Sequence, residues 1–158
     1  MTPLHAPLDN DQRAIDELVR AFFDLFTNRG EVALNLDAIF ELCIHQAIIS
    51  KCVGSSPVVT SLEAFIAPRQ ALLSDGTLTD FQETEVAQYT QVLGNVAQRS
   101  CIYRKSGLLN GARFETRGVK VFQFIRCAHG WRITAVSWDD ERDGFSPDSI
   151  DLTGFRRP

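Results

Sequence analysis

After Gly76 the apolar residues of this chain change their spacing. Upstream they recur every three to four positions; downstream they alternate, in long runs broken only by turn sequences. Residues 79–93, 96–105, 113–127 and 131–138 each read as a strand. Gly94-Asn95 and Ala128-His129-Gly130 read as tight turns between them, and residues 106–111 as a loop. Strands of this length joined by hairpins make an antiparallel meander. Such a sheet needs a cover on one face, and the first half of the chain is where the cover comes from.

That half predicts helices. Asp9 stands three residues before Gln12, a capping-box-like start. Ile15, Leu18, Val19, Phe22 and Phe26 follow at helical spacing, Phe23 and Leu25 widen the stripe, and Gly30 is a stop signal. A short helix fits residues 36–42, capped by Asn35, with Ile39 and Phe40 turned inward. Residues 43–53, rich in isoleucine, read as a strand, and Gly54-Ser55-Ser56-Pro57 as a turn. Thr60-Ser61-Leu62-Glu63 is a second capping box, opening a helix in which Pro68 predicts a kink or restart. The fold class expected is therefore α+β, N-terminal helices packed on a long curved antiparallel sheet. Residues 1–8 read as a flexible arm, 9–142 as one domain and 143–158 as a polar tail that wraps the surface or is partly disordered.

Length and charge narrow the partners. The chain has 158 residues, enough for one domain with a real core. Its net charge of −4 offers no basic footprint for nucleic acid or an anionic membrane. No apolar stretch reaches the roughly 18 residues that span a bilayer, and residues 1–11 lack a basic region followed by an apolar run. The expectation is a cytoplasmic protein. Its four cysteines form no Cys-x-x-Cys pair, so neither a zinc site nor another metal is expected. Eleven phenylalanines against two tyrosines and two tryptophans suggest a large apolar interior or an apolar cavity.

Three stretches carry a family resemblance. One is Ala47-Ile48-Ile49-Ser50-Lys51-Cys52-Val53-Gly54-Ser55 with Val59-Thr60-Ser61-Leu62-Glu63-Ala64-Phe65. Another runs from Leu93-Gly94-Asn95 through Arg99-Ser100-Cys101-Ile102-Tyr103. The third is Phe114-Glu115-Thr116-Arg117-Gly118, continuing through Phe122-Gln123 and Gly130-Trp131-Arg132-Ile133 to Trp138-Asp139-Asp140-Glu141-Arg142. With the order of elements, these resemble the nuclear transport factor 2-like superfamily, which includes SnoaL-like cyclases, steroid Δ-isomerases and many uncharacterised bacterial proteins. The resemblance covers roughly residues 10–142. It implies a cone-shaped half barrel of the cystatin-like kind with an apolar pocket, a homodimer through the outer sheet face, and no cofactor.

The same resemblance sharpens the candidate chemistry. Alternation along the first strand puts Cys43, His45, Ala47, Ile49 and Lys51 on one face, with His45 and Lys51 about 20 Å apart by strand rise. In the isomerases the matching stretch ends on a carboxylate base before a Gly-Ser turn; Lys51 falls at that position here, and a lysine does not replace that base without strong tuning. Dehydratase members use a His–Asp dyad, for which His45 and a carboxylate of the run Asp80, Glu83 and Glu85, Asp80 in particular, are the candidates. The plainer alternatives are a rim histidine at His45, a solvated strand end at Lys51 and a solvated edge at Asp80. Helix residues roof the cavity in this superfamily, so Phe22, Phe26 and Phe40, with His45, Lys51 and Trp138, are the expected pocket residues. Arg99, Arg104, Arg113 and Arg117 either clamp a carboxylate ligand or pair across strands. Cys43 and Cys101 are weak thiol-nucleophile candidates, more simply read as buried apolar fillers. Two functions stand: a small-molecule-binding protein without catalysis around an unknown small apolar ligand, or a cofactor-independent SnoaL-like dehydratase, cyclase or hydrolase using His45 and a carboxylate.

Overall fold

In a computed structural model, residues 6–30, 33–54 and 56–153 are described. Helix α1 spans Ala6–Asp24 and begins inside the segment expected to be a loose arm, of which residues 1–5 lie outside the described range. Its apolar stripe is buried: Ile15, Val19, Phe22 and Phe23 are almost inaccessible. A 3-10 turn, Leu36–Ala38, leads into α2, Ile39–Leu42. Asn35 precedes the turn without a side-chain capping bond. β1 spans Cys43–Lys51, β2 Val58–Thr60 and α3 Leu62–Ser74. The long strands are β3 Leu78–Leu93, β4 Val96–Leu109, β5 Ala112–Cys127 and β6 Gly130–Asp140.

The strands form one unclosed sheet in the order β2-β1-β6-β5-β4-β3. Hairpins join β3 to β6 in sequence, while β1 lies parallel to β6. The sheet is strongly curved. α1 packs on both β3 and β6, and α3 on both β1 and β3, although β1 and β3 are separated by three strands. Two helices can touch both ends of a sheet only if the sheet curls around them.

Several local expectations are corrected. Residues 106–109 continue β4 rather than forming a loop, and the chain reverses in two residues, Asn110-Gly111. Both have positive φ, +50° and +82°, as a type I′ hairpin turn requires. The cap of α3 is Ser61, whose hydroxyl accepts from the Ala64 N–H, and not Thr60, which closes β2. Pro68 does not interrupt α3. It removes one backbone donor, a tolerable loss in a helix held by buried Leu62, Phe65, Ile66 and Leu73. In the tail, expected to wrap the surface or be partly disordered, Phe145 forms a β-bridge with Arg142, Pro147–Ser149 makes a 3-10 turn beside β5, and Asp148 pairs with Arg117. Residues 154–158 of that tail lie outside the described range.

Ion pairs fix the helix to the sheet. Buried Arg99 on β4 reaches Asp16 of α1 and Glu85 of β3. Asp11 of α1 accepts from Arg126 and from the Trp131 indole N–H. Asn28, just past α1, is a third tie. Its amide nitrogen donates to the carbonyls of Leu73 and Leu78, and its oxygen accepts from the Phe81 N–H.

Candidate functional site

The concave face of the sheet, α1 and α3 enclose a cavity of about 680 Å³. Its walls are largely aromatic: Phe22 and Phe26 from α1, Phe65 from α3, Phe81 from β3, Phe114 from β5 and Trp138 from β6. The rings pack edge to face, Phe26 on Phe65 at 5.7 Å and Phe65 on Trp138 at 5.8 Å between centroids. An apolar cavity of this size with a few placed polar groups has the character of a small-molecule site.

The polar groups come from inward positions of the strands. Alternation carries Phe81 and Glu83 on β3, Tyr103 and Lys105 on β4, Lys120 and Phe122 on β5, and Trp138 and Asp140 on β6 to the concave face. Lys120 Nζ lies 2.7 Å from Glu83 Oε1, with both side chains buried. The same ammonium stands 4.6 Å from the Phe23 ring centroid and 4.9 Å from that of Tyr103. Lys105 Nζ is 2.9 Å from the Asp140 carboxylate, which also accepts from the Tyr103 hydroxyl. Burial, reinforced by Asp140, pushes the Tyr103 phenol well above its ordinary value, so it remains a donor. Tyr103 reaches β6 by passing directly over Gly118 of β5, where any Cβ would collide with its hydroxyl.

Arg69 completes the cavity from α3. Its guanidinium carbon sits 3.8 Å from the Phe65 ring centroid and 5.5 Å from that of Trp138. Nη1 donates to the Phe65 carbonyl at 3.0 Å. Burial pulls its pKa down to about 10, opposed by the charge of Glu83, so it is a cation at neutral pH. Arg69 was not among the residues the sequence singled out. The available signal was Phe65 and Arg69 one turn apart on α3, a spacing that stacks a cation on a ring. Glu83 belongs to the acidic run offered as a partner for His45; Lys105, Lys120 and Asp140 carry a plainer signal, charge at strand positions whose neighbours of the same parity are mostly apolar.

Of the expected pocket residues, Phe22, Phe26, Lys51 and Trp138 line the cavity, whereas Phe40 and His45 do not. For His45 the reason is a bulge. Between Cys43 and Ile48 the register of β1 on β6 slips, so five steps along β1 match two along β6. Alternation fails across that stretch: Ala47 and Ile49 are buried while His45 is exposed, its ring tilted against Phe40 at 5.7 Å. Asp80 is also outside the cavity. It has φ +48° at an irregularity of β3, and its carboxylate is engaged by Arg29 and Arg113. The two members of the expected dyad thus stand on β1 and β3, three strands apart in the sheet. Arg99, Arg104, Arg113 and Arg117 all hold carboxylates of the chain itself. Cys43 and Cys101 are buried. Burial pushes the Cys43 thiol up to about 12 and the Cys101 thiol well above its ordinary value, leaving both protonated. Among the described residues, no group of three or more His, Cys, Asp or Glu is placed to hold a metal ion, and no helix is long and apolar enough to cross a membrane.

No protein-family model matches the sequence, and no curated protein matches it. Solved structures do match the fold. An NTF2-like protein with a cystatin-like fold from Novosphingobium aromaticivorans aligns with TM-score 0.69 at 21% identity, over 98% of this chain and 97% of its own. A nuclear transport factor 2-like superfamily protein from Salmonella enterica aligns at 0.70 and 13% identity, over 90% and 99%. A structure from Shewanella frigidimarina named as a candidate ketosteroid isomerase aligns at 0.60 and 18% identity, over 79% and 94%. The chain therefore has the nuclear transport factor 2-like fold, an α+β half barrel of the cystatin-like kind.

Proposed function

We propose that this protein binds a small, largely apolar molecule in the half-barrel cavity and does so without catalysing a reaction on it. The observation that carries this reading is the pairing inside the cavity. Both carboxylates there, Glu83 and Asp140, are held by lysines, and the Tyr103 hydroxyl is directed to Asp140. A general base must be within reach of a substrate proton and free to take it, and groups committed to one another in this way are better suited to shaping a site. The SnoaL-like enzyme alternative rests on His45, which is exposed on the far side of a bulge from the cavity. The resemblance also supports a homodimer through the convex sheet face. Ile102, Val119 and Val121 lie outward there, beside Ser100 and Ser137, with Asp139 opposite Val119 at the border of the patch. Light scattering during size-exclusion chromatography is expected to give twice the 17.7 kDa chain mass at micromolar concentration; a 17.7 kDa species would refute the dimer.

Binding is tested by a thermal-shift screen of apolar metabolites against the wild-type chain and Ala64→Trp, which places an indole on the cavity wall. A ligand specific for the folded state at about 100 times its Kd adds about 2.7 kcal/mol, a rise in Tm of roughly 5 °C or more. The wild type is expected to show such a shift with at least one compound and the variant to lose it. Shifts of equal size in both proteins would place binding elsewhere. Turnover of the bound compound by the wild type would restore the enzyme alternative.

A further inference from the structure

The cavity has a charge opposite to that of the protein around it. The chain carries a net charge of −4, yet the cavity is lined by four cations, Lys51, Arg69, Lys105 and Lys120, against two carboxylates, Glu83 and Asp140. Those carboxylates are already matched to Lys120 and Lys105. The excess falls on Lys51, exposed at the strand end, and on Arg69, inside. Among the described residues Arg69 has no carboxylate at ion-pair distance. Its one hydrogen bond to the protein, from Nη1 to the Phe65 carbonyl, and its stacking on Phe65 fix the plane of the guanidinium. That leaves Nε and Nη2, the edge that forks onto a planar anion, without a partner. A half-buried cation with no direct ion-pair partner, offset only at a distance by the charge of Glu83, is costly to the free protein, and an anionic ligand lowers that cost on binding.

We propose that the ligand is an amphipathic carboxylate, its apolar body held by the aromatic walls and its single carboxylate received side-on by Arg69. This rests on the cavity-binding reading above and adds the chemical class of the ligand. The aromatic rings provide for the body, since Phe22, Phe26, Phe81, Phe114 and Trp138 present no hydrogen-bonding group toward it except the Trp138 indole. Arg69 provides for the head. The two lysine–carboxylate pairs set a limit on charge: both lysines are neutralised, so a second anionic group on the ligand would find no free cation deep in the cavity.

The test is isothermal titration calorimetry on the intact chain with three acids, 2-naphthylacetate, 4-phenylbutyrate and octanoate, each beside its neutral primary amide. Wild type, Arg69→Met and Arg69→Lys are compared. In the wild type at least one acid is expected to bind about tenfold or more tightly than its amide, the usual worth of a charge-assisted bidentate contact. Arg69→Met is expected to abolish that preference, so that acid and amide bind with equal affinity, while the thioether keeps packing on Phe65. Arg69→Lys keeps the charge and loses the fork, so an intermediate preference is expected. This variant also decides the matter if Arg69→Met fails to fold, because the preference must still fall. Equal affinity for acid and amide in the wild type, or a preference that survives both substitutions, overturns the carboxylate proposal and leaves the cavity reading standing. If no member of any pair binds the wild type, both fall together.

Discussion

A single residue decides whether the polar end of the cavity can exist. Gly118 stands in the middle of β5, where glycine weakens a strand unless something must approach the backbone closely. Here it is Tyr103, whose ring lies across the glycine to bring its hydroxyl to Asp140. A methyl group at 118 would overlap that hydroxyl and the Asp139 carbonyl oxygen of β6, and the hydroxyl cannot withdraw without losing its bonds to Asp139 and Asp140. Gly118→Ala is therefore expected to destabilise the fold by about 1–3 kcal/mol, the usual range for overpacking a filled site, measured as a lower urea midpoint at unchanged slope. The double variant with Tyr103→Leu should recover part of that loss, so a double-mutant cycle reads a coupling between the two positions. Additive effects would mean that Gly118 is there for a reason other than Tyr103. In the sequence the glycine is visible as a break in a long strand, which by itself marks a close approach to the backbone. Which side chain does the crowding was not legible, since Tyr103 meets it only through the pairing of β4 with β5.

At the scale of elements, what could be read was what local sequence decides. The two-residue turn at Gly94-Asn95 and the alternation on either side are properties of consecutive residues, and β3 to β6 lie close to the ranges read from them. The Asn110-Gly111 turn is equally local, but Ser106-Gly107, a turn-like pair inside β4, hides the continuation of the strand through Leu109. β1 shows the opposite case. Its period-2 reading placed His45 beside Ile49 and Lys51 on one face, and the alternation is sound as far as it goes: Ala47 and Ile49 are buried together. The bulge that removes His45 arises from matching β1 to β6, eighty or more residues away and running parallel to it. No window within β1 contains that information, and a slip of one residue reverses every side chain beyond it. Pro68 is a similar case in a helix. Its local effect is real, and the burial of α3 against β1 and β3 outweighs it. Arg69 carries a charge of the kind that is usually solvated on a helix, and it is the placing of α3 against the cavity that sets its guanidinium on Phe65 and near Trp138.

The whole molecule is held together across its curvature by ion pairs, and this gives its stability a pH dependence whose sign can be worked out. Asp11 joins α1 to Arg126 and Trp131, Asp80 joins β3 to Arg29 and Arg113, and Asp148 fastens the tail to Arg117. In each case the hydrogen bond from arginine is the largest influence holding the carboxyl below its ordinary value. In the unfolded chain these groups return to about 3.9. A carboxyl whose folded pKa is depressed binds its proton more readily when unfolded. Its contribution is therefore fully present above the unfolded value and is lost as the pH falls through the folded one. Stability should be level from about pH 7 to 5 and fall below about pH 4. The pairs are at least partly exposed, so each contribution is small and shrinks further at high salt. Asp11→Asn isolates one of them, since the amide keeps the shape and removes the titration. The variant is expected to be less stable than wild type at pH 7 and to converge on it near pH 2, in urea melts at low ionic strength. A deficit that stays constant down to pH 2 would show that Asp11 contributes through packing and hydrogen bonding to Trp131, and that the acid limb of the curve belongs to other carboxylates.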